Sequence, residues 1–159
     1  MCAPVSLKYA RQFIAKKISM SYEPVETTVI TDKKWLSFVI EQVISNAVKY
    51  TKTGGIKIYL EDGDGTMSVP VQKASHRKED DGENSGMKSV RLVIEDTGIG
   101  IRAEDLPRIC EMGYTGCNGH EGQHSSGIGL YLCSRILKKL GHTFSITSKE
   151  GVGTVVKIG

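Results

Sequence analysis

The strongest helical pattern in the chain is residues 32–51, DKKWLSFVIEQVISNAVKYT. Its apolar residues recur at intervals of one and then three, which places a broad apolar stripe on one side of a helix. These residues are Trp35, Leu36, Val39, Ile40, Val43, Ile44, Ala47 and Val48. The pair Thr31-Asp32 precedes them and predicts an N-cap. Gln42, Asn46 and Lys49 share a different face of this helix, so all three side chains can project toward one cleft.

Strand patterns follow this helix along the chain. Residues 56–60 alternate as a half-buried strand does, and the continuously apolar residues 90–94 predict a central strand. The chain closes with two predicted strands, 144–148 and 154–158, around a turn at residues 151–153. The pattern is α+β, with one mixed sheet and with helices packed on one of its faces.

Other segments complete the predicted elements. Residues 5–17 and 130–140 have helical spacing, and a short helix is predicted around residues 103–110. Residues 18–22 and 27–31 are β-like runs separated by a Glu-Pro pair, which predicts a hairpin or a short connection.

Length and composition indicate one soluble globular domain. The 159 residues suffice for one domain with a full core but are too few for two ordinary domains. The formal net charge of +3 is dispersed along the chain, which does not favour a nucleic acid as the partner. The four cysteines lack metal-ligand spacing and indicate reduced thiols. No apolar run approaches the roughly 18 residues of a membrane span, so we expect a cytoplasmic chain.

Three separated stretches predict a nucleotide site. The Asn46 amide can give a neutral oxygen to a magnesium ion that takes its other ligands from water and phosphates, and Lys49 can add positive charge nearby. Asp96 closes an apolar strand, where its carboxylate can accept from the amino group of adenine and repel the carbonyl of guanine. Gly98 and Gly100 follow and let backbone approach the base closely.

The third stretch is residues 125–130, SSGIGL. Gly127 and Gly129 open a helix, where free amide groups and the helix dipole favour phosphate, and Ser125 and Ser126 can add hydroxyl donors. Each stretch alone has an ordinary structural explanation: a solvated helix face, a strand-ending turn and a Ser-Gly helix start. Their order and spacing favour the nucleotide site, and the sequence contains no Walker-type loop.

Together these stretches resemble the catalytic, ATP-binding domain of bacterial sensor histidine kinases, within the GHKL ATPase superfamily. The resemblance covers nearly the whole chain and rests on ordered boxes: the N box at residues 45–51, the first glycine box at 96–100, the F box at 112–116, the second glycine box at 126–130 and a glycine-Thr turn at 151–154. Residues 35–51 and 113–119 resemble the small intramembrane-sensing kinases of Gram-positive bacteria.

The resemblance implies a two-layer α/β sandwich that holds ATP and Mg²⁺ between the N-box helix and a mobile lid at about residues 111–126. Asn46 would be the magnesium ligand and Asp96 the adenine reader, and Gln42 and Lys49 would join Asn46 on the catalytic face. Further nucleotide contacts are implied for Tyr50 and Ile101 beside the base, Gly98 and Gly100 on the pocket floor, Ser126, Gly127, Gly129 and Leu130 at the phosphates, and Thr154 in the closing turn.

The sequence departs from this family at several positions. Gln42 stands where hydrolytic relatives carry a Glu that activates water, and a neutral amide cannot take that proton, which predicts slow ATP hydrolysis. The predicted lid has no Lys or Arg but contains His120 and His124, and Cys110 replaces the usual Phe near its start. A polar, Gly-rich insertion is predicted at about residues 61–88.

The chain has no histidine in the sequence context of a phosphoacceptor helix; its histidines are His76, His120, His124 and His142. We therefore expect the acceptor on a separate dimerisation domain, with residues 1–17 as the tail of the connection and residues 18–159 as the ATP-binding domain. A response regulator would act downstream. The parent protein would be anchored in the plasma membrane, and this part of it alone would be monomeric.

The favoured function is therefore an ATP-Mg-binding catalytic domain that transfers the γ-phosphoryl group to a histidine. Two alternatives stay open. A stand-alone Ser/Thr kinase of the anti-sigma type would phosphorylate a serine of a partner protein. A nucleotide-sensing module without transfer activity would suit a lid that lacks fixed positive charge.

Overall fold

The computed structural model describes residues 3–23, 27–63, 89–116 and 126–159. Its helices are α1 (Ala3–Lys16), α2 (Lys33–Tyr50) and α3 (Gly129–Leu140). Its strands are β1 (Ser19–Tyr22), β2 (Gly55–Asp62), β3 (Val90–Asp96), β4 (Phe144–Lys149) and β5 (Gly153–Ile158). Within these ranges, none of the helices combines the length and apolar character needed to cross a membrane.

The five strands form one sheet in the order β1-β2-β3-β5-β4. β1 runs parallel to β2, and the other neighbouring pairs are antiparallel, so the sheet is mixed as predicted. β3 lies in the centre, which confirms the prediction made from its continuous apolar run. Ile58 pairs with Ile94 and Ile94 with Val156, so apolar residues of three strands share one face.

The hydrophobic core lies between this face of the sheet and the helices. Ile56 and Ile58 of β2 are buried, whereas Lys57 between them is exposed, as the alternation of a strand with one covered face requires. The helices contribute Val39, Ile40, Val43, Ile44, Ala47 and Val48 from α2, and Cys133 and Leu137 from α3. Full burial of a large aliphatic side chain contributes about 1.5–3 kcal/mol. This packing fixes α2 and α3 against the sheet.

α2 begins and ends at residues with identifiable caps. The Asp32 carboxylate accepts from the backbone amides of Lys34 and Trp35 at 2.9 and 3.2 Å, which confirms the predicted N-cap. At the other end, the Thr51 amide donates to the Ala47 carbonyl. The residues of the N box therefore lie on the last turns of a well-defined helix.

α1 is attached to the same core. Tyr9 and Phe13 pack against the buried cluster, and Ile18, just beyond the helix, belongs to it. The Lys16 ammonium group lies at the C-terminal end of α2 and donates to the carbonyl oxygens of Val48, Lys49 and Thr51 at 2.6, 3.0 and 3.4 Å. A cation at this end is favoured by the helix dipole and by carbonyl groups whose helical N–H partners would lie beyond the end of the helix.

The predicted hairpin of residues 18–22 and 27–31 is wrong. β1 forms, but its partner is β2 in parallel, and residues 27–30 are irregular. Val29 and Ile30 have exposed fractions of 51% and 96%, so neither β-branched side chain is buried against the described part of the chain. Strand propensity depends on such packing, which explains why the pattern did not produce a strand.

Two other segments also differ from the predictions. Residues 103–110 form successive turns instead of a helix, with Arg108 N–H donating to Asp105 O and Glu111 N–H donating to Arg108 O. Pro107 has no N–H and disfavours a regular helix at this point. The predicted insertion begins later than residue 61, because β2 continues to Asp62. Residues 64–88 lie outside the described part of the chain.

Candidate nucleotide site

A cavity of about 320 Å³ opens between α2, the ends of β3 and β5, and the start of α3. Its size is in the range of small-molecule sites. The residues named as site candidates from the sequence that line it are Gln42, Asn46, Lys49, Tyr50, Asp96, Gly100, Ile101, Ser126, Gly127, Gly129, Leu130 and Thr154. Gly98 is not among the lining residues, and Ser125 lies outside the described residues. The structure therefore brings distant parts of the chain together around one cavity.

The polar face of α2 forms one wall. Gln42, Asn46 and Lys49 all line the cavity, and Val43 and Ala47 of the adjoining apolar stripe line it beside them. The Lys49 ammonium group is 5.2 Å from the centre of the Tyr50 ring, which also lines the cavity. This wall offers two amide groups and one cation, and therefore suits an anionic ligand.

Asp96 is held at the end of β3 by backbone amide groups. Its Oδ1 accepts from Gly98 N–H at 2.8 Å, and the carboxylate also accepts from the Thr154 amide. Burial raises the pKa of Asp96 above its ordinary value, while the two amide hydrogen bonds lower it in part. A Cβ atom on Gly98 would lie 2.7 Å from this oxygen and 2.8 Å from the Tyr50 carbonyl oxygen. Only glycine therefore fits behind the carboxylate.

The two ends of the predicted lid meet at a neck. Gly113 N–H donates to the Gly127 carbonyl oxygen at 3.0 Å. Gly127 has φ +65°, and a Cβ atom there would lie 2.4 Å from the Gly113 carbonyl carbon, so glycine is required on both counts. Of the predicted lid at residues 111–126, the part from 117 to 125, with His120 and His124, lies outside the described residues.

Asp105 and Tyr114 also line the cavity, although neither was selected from the sequence as a site residue. Asp105 is buried among its lining residues and accepts a hydrogen bond from the Tyr114 hydroxyl group. The Arg108 guanidinium group lies 4.4 Å from the centre of the Tyr114 ring. Tyr114 lies in the F box, but nothing in the sequence pairs it with Asp105, because that contact depends on the turns between them.

The donor set of the cavity fits a metal ion that arrives with its ligand. Among the described ranges of the chain, no group of three or more His, Cys, Asp or Glu side chains is placed to hold a metal ion. Asn46 supplies a neutral amide oxygen at the cavity wall. One such oxygen suits Mg²⁺, which keeps several waters and takes further oxygens from phosphates.

The sequence relatives of this chain are sensor kinases. A family model described as histidine kinase-, DNA gyrase B- and HSP90-like ATPase matches residues 31–159. The sensor histidine kinase YxdK of Bacillus subtilis is 36% identical over 132 residues, covering 81% of this chain and 33% of YxdK. The sensor protein kinase GraS of Staphylococcus aureus is 34% identical over 134 residues, covering 84% of this chain and 32% of GraS. The chain thus spans about a third of the length of these relatives.

Solved structures of histidine kinases share the fold. Full-length ShkA in complex with AMPPNP has a TM-score of 0.70 at 20% identity, covering 98% of this chain and 28% of ShkA. The nucleotide-free catalytic domain of ThkA has a TM-score of 0.69 at 18% identity, covering 98% of this chain and 87% of that domain. The chain belongs to the family of histidine kinase-, DNA gyrase B- and HSP90-like ATPases and is an ATP-binding domain of the sensor histidine kinase type.

Proposed function

We propose that this chain binds ATP with Mg²⁺ and delivers the γ-phosphoryl group to a histidine on a separate domain of a longer kinase. The observation that supports this most directly is that Asp96, Asn46 and the glycines of the second glycine box line one cavity. A carboxylate suited to adenine, an amide suited to Mg²⁺ and a helix start suited to phosphate are thus available to one nucleotide.

The base would lie against the end of β3. Asp96 would accept a hydrogen bond from the amino group of adenine, and Tyr50 and Ile101 would flank the ring. Ile94, Ile146 and Val156 add apolar surface to the same cavity. Ligand sites typically combine such apolar lining with a few polar groups that fix orientation.

The phosphates would lie between α2 and the start of α3. Bound Mg²⁺ would neutralise charge on the phosphate oxygens. Asn46 would hold that ion, Lys49 would add a positive charge, and Gly127, Gly129 and Leu130 would present backbone at the helix N-terminus. Gly129 leaves room for Gln42, whose Oε1 lies 3.0 Å from the position that a Cβ atom on Gly129 would take. The chain's part in catalysis is positioning.

The residues of the cavity wall favour transfer of the γ-phosphoryl group to an acceptor over hydrolysis of ATP. Gln42 faces the cavity from α2, and its amide cannot act as a general base toward water. Asp105 also lines the cavity, where its Oδ1 accepts a hydrogen bond from the Tyr114 hydroxyl group. We therefore propose that bound ATP persists until an acceptor is presented.

The acceptor would lie in another part of the parent protein. His142 is held inside the fold, with Nδ1 3.3 Å from the Gly159 carbonyl oxygen and Nε2 2.8 Å from Thr31 Oγ1. We propose that α1 connects the ATP-binding domain to a histidine-bearing dimerisation domain, that the parent is anchored in the plasma membrane, and that a response regulator receives the phosphoryl group. Alone, this chain would be monomeric.

The test is phosphoryl transfer in trans. The chain is mixed with the separately produced histidine-bearing domain of YxdK or GraS, radiolabelled ATP and Mg²⁺. We expect acid-labile label on the acceptor histidine, lost with Asn46→Ala and retained with Lys34→Ala at the exposed start of the same helix. Binding of ATP without label would support a nucleotide-sensing module. Label on a serine of an added anti-sigma-factor antagonist would support the Ser/Thr kinase.

A further inference from the structure

Ser148, on β4, joins three backbone and side-chain groups beside the cavity. Its Oγ accepts from Ile101 N–H at 2.9 Å, donates to the Gly153 carbonyl oxygen at 2.8 Å and lies 2.9 Å from Thr154 Oγ1. Ile101 and Thr154 line the cavity, whereas Ser148 does not. Ser148 therefore lies one layer behind the surface that a ligand would touch.

The proton positions in this cluster follow from counting donors and acceptors. A serine hydroxyl has one proton and two lone pairs. The Gly153 carbonyl can only accept, so it takes the Ser148 proton, and Ile101 N–H takes one lone pair. The contact between the two hydroxyl groups allows either one to donate, and hydrogen bonds at all three contacts require Thr154 to donate its proton to the remaining lone pair of Ser148. This arrangement gives each of the partly buried groups a hydrogen-bond partner.

This arrangement determines whether the Thr154 hydroxyl group can donate or accept a hydrogen bond in the cavity. Its only hydroxyl proton is directed at Ser148, so the Thr154 oxygen can only accept hydrogen bonds from a ligand in the cavity. Thr154 pairs with Asp96 across β5 and β3, which places its hydroxyl group beside the carboxylate on the same face of the sheet. The two side chains form a pair of neighbouring acceptors.

We propose that Ser148 is a specificity-determining residue that acts through Thr154. By holding the Thr154 proton, it keeps both neighbouring side chains as acceptors, which suits a purine with an amino group at position 6 and opposes one with a carbonyl there. Without Ser148, the Thr154 hydroxyl can rotate and donate to that carbonyl. This inference rests on the proposed binding of ATP in this cavity.

The test compares ADP with IDP, which carry an amino and a carbonyl group at position 6 of the purine. Dissociation constants of both are measured by calorimetric titration for the wild type, Ser148→Ala, Ser148→Thr and Ser145→Ala. Ser145 is an exposed residue of the same strand on the opposite face, so its variant is the matched control. We expect Ser148→Ala to lower the ADP preference about tenfold, the scale of one hydrogen bond. Ser148→Thr, which keeps the hydroxyl group, and Ser145→Ala should retain the preference.

Two results would overturn the proposal. One is an unchanged ADP preference in Ser148→Ala. The other is an equal weakening of both nucleotides, which would mean that Ser148 only supports the position of Ile101. Failure of the wild type to bind ADP at all would instead contradict the proposed function.

A second variant keeps the proposal testable if Ser148→Ala does not fold. Thr154→Val removes the hydroxyl group and keeps the side-chain shape, so it should also lower the ADP preference. Where both variants fold, adding Ser148→Ala to Thr154→Val should change the preference no further, because the two residues act as one unit. An undiminished preference in Thr154→Val would contradict the proposal.

Discussion

At the scale of single residues, Asp96 has opposing effects on stability and binding. Its pKa is raised in the folded state by burial, so the protonated form stabilises the fold relative to the ionised form. That contribution is present below the unfolded pKa and is lost as pH rises through the folded pKa. The carboxylate that adenine needs is therefore the form that destabilises the free protein.

Asp96→Asn should separate these two effects. We expect the variant to be more stable than the wild type at pH 7, because it removes a partly buried charge, while its one amide oxygen remains to accept from Gly98 N–H and the Thr154 amide. It should also lose binding of a non-hydrolysable ATP analogue. Urea unfolding at pH 7 and pH 4 checks the first point, since the difference should shrink as Asp96 of the wild type becomes protonated. A less stable variant at pH 7 would contradict this account.

Some of the site residues could be predicted because their chemistry is local. Asn46 lies on an amphipathic helix and Asp96 at the end of an apolar strand, so residue type and flanking pattern made them candidates, and the order and spacing of the three stretches favoured a shared site. Tyr114 and Asp105 meet only because the turns of residues 103–110 bring them together. Ser148 was missed for a similar reason: its contact with Thr154 depends on the register of β4 and β5, which the sequence does not display.

At the scale of elements, the contact between Lys16 and α2 is open to a direct test. Lys16→Met keeps the apolar stem of the side chain but removes the charge and the donors that reach three carbonyl groups. We expect a loss of about 2 kcal/mol in the free energy of unfolding. Urea unfolding measures it, with Lys17→Met as the control, because Lys17 is the exposed neighbour. Equal losses in both variants would show that the carbonyl contacts contribute little.

The elements with the clearest periodicity were predicted correctly, and so were the short strands β1, β4 and β5, whereas the runs 27–31 and 103–110 were not. α2 and α3 present apolar stripes of several turns, and β3 has a continuous apolar run. Each pattern was therefore best satisfied by a single type of secondary structure. The runs 27–31 and 103–110 are short, and tertiary packing decided their structure. Glu23 N–H, for example, donates to the Ile58 carbonyl oxygen of β2, and no partner strand is found in residues 27–31.

At the scale of the whole molecule, the folding unit is larger than the segment matched by the family model. That match begins at residue 31 and leaves out α1 and β1. β1 nevertheless completes the sheet beside β2, and Ile18 and Phe13 belong to or pack against the core. Removing α1 and β1 would expose the edge of β2 and leave the C-terminal end of α2 without Lys16.

A chain that begins at residue 31 should therefore lose cooperative folding. We expect a thermal transition, followed by circular dichroism, for a chain that begins at residue 3, and a broad or absent transition for the shorter one. The comparison is made at equal concentration without nucleotide, because ligand binding would stabilise any folded fraction. Matching transition temperatures would show that α1 and β1 are accessory to the fold.

The neck between Gly113 and Gly127 has a consequence for how this domain can change in evolution. The hydrogen bond at the neck joins the two ends of the intervening chain whatever its length. The entropy of closing a flexible loop rises slowly, by about 0.6 kcal/mol for each doubling of its length. Insertions and deletions between these glycines should therefore leave the core nearly unaffected. One scaffold can then carry intervening segments of different length and sequence, and this segment can diverge faster than the residues of the cavity wall.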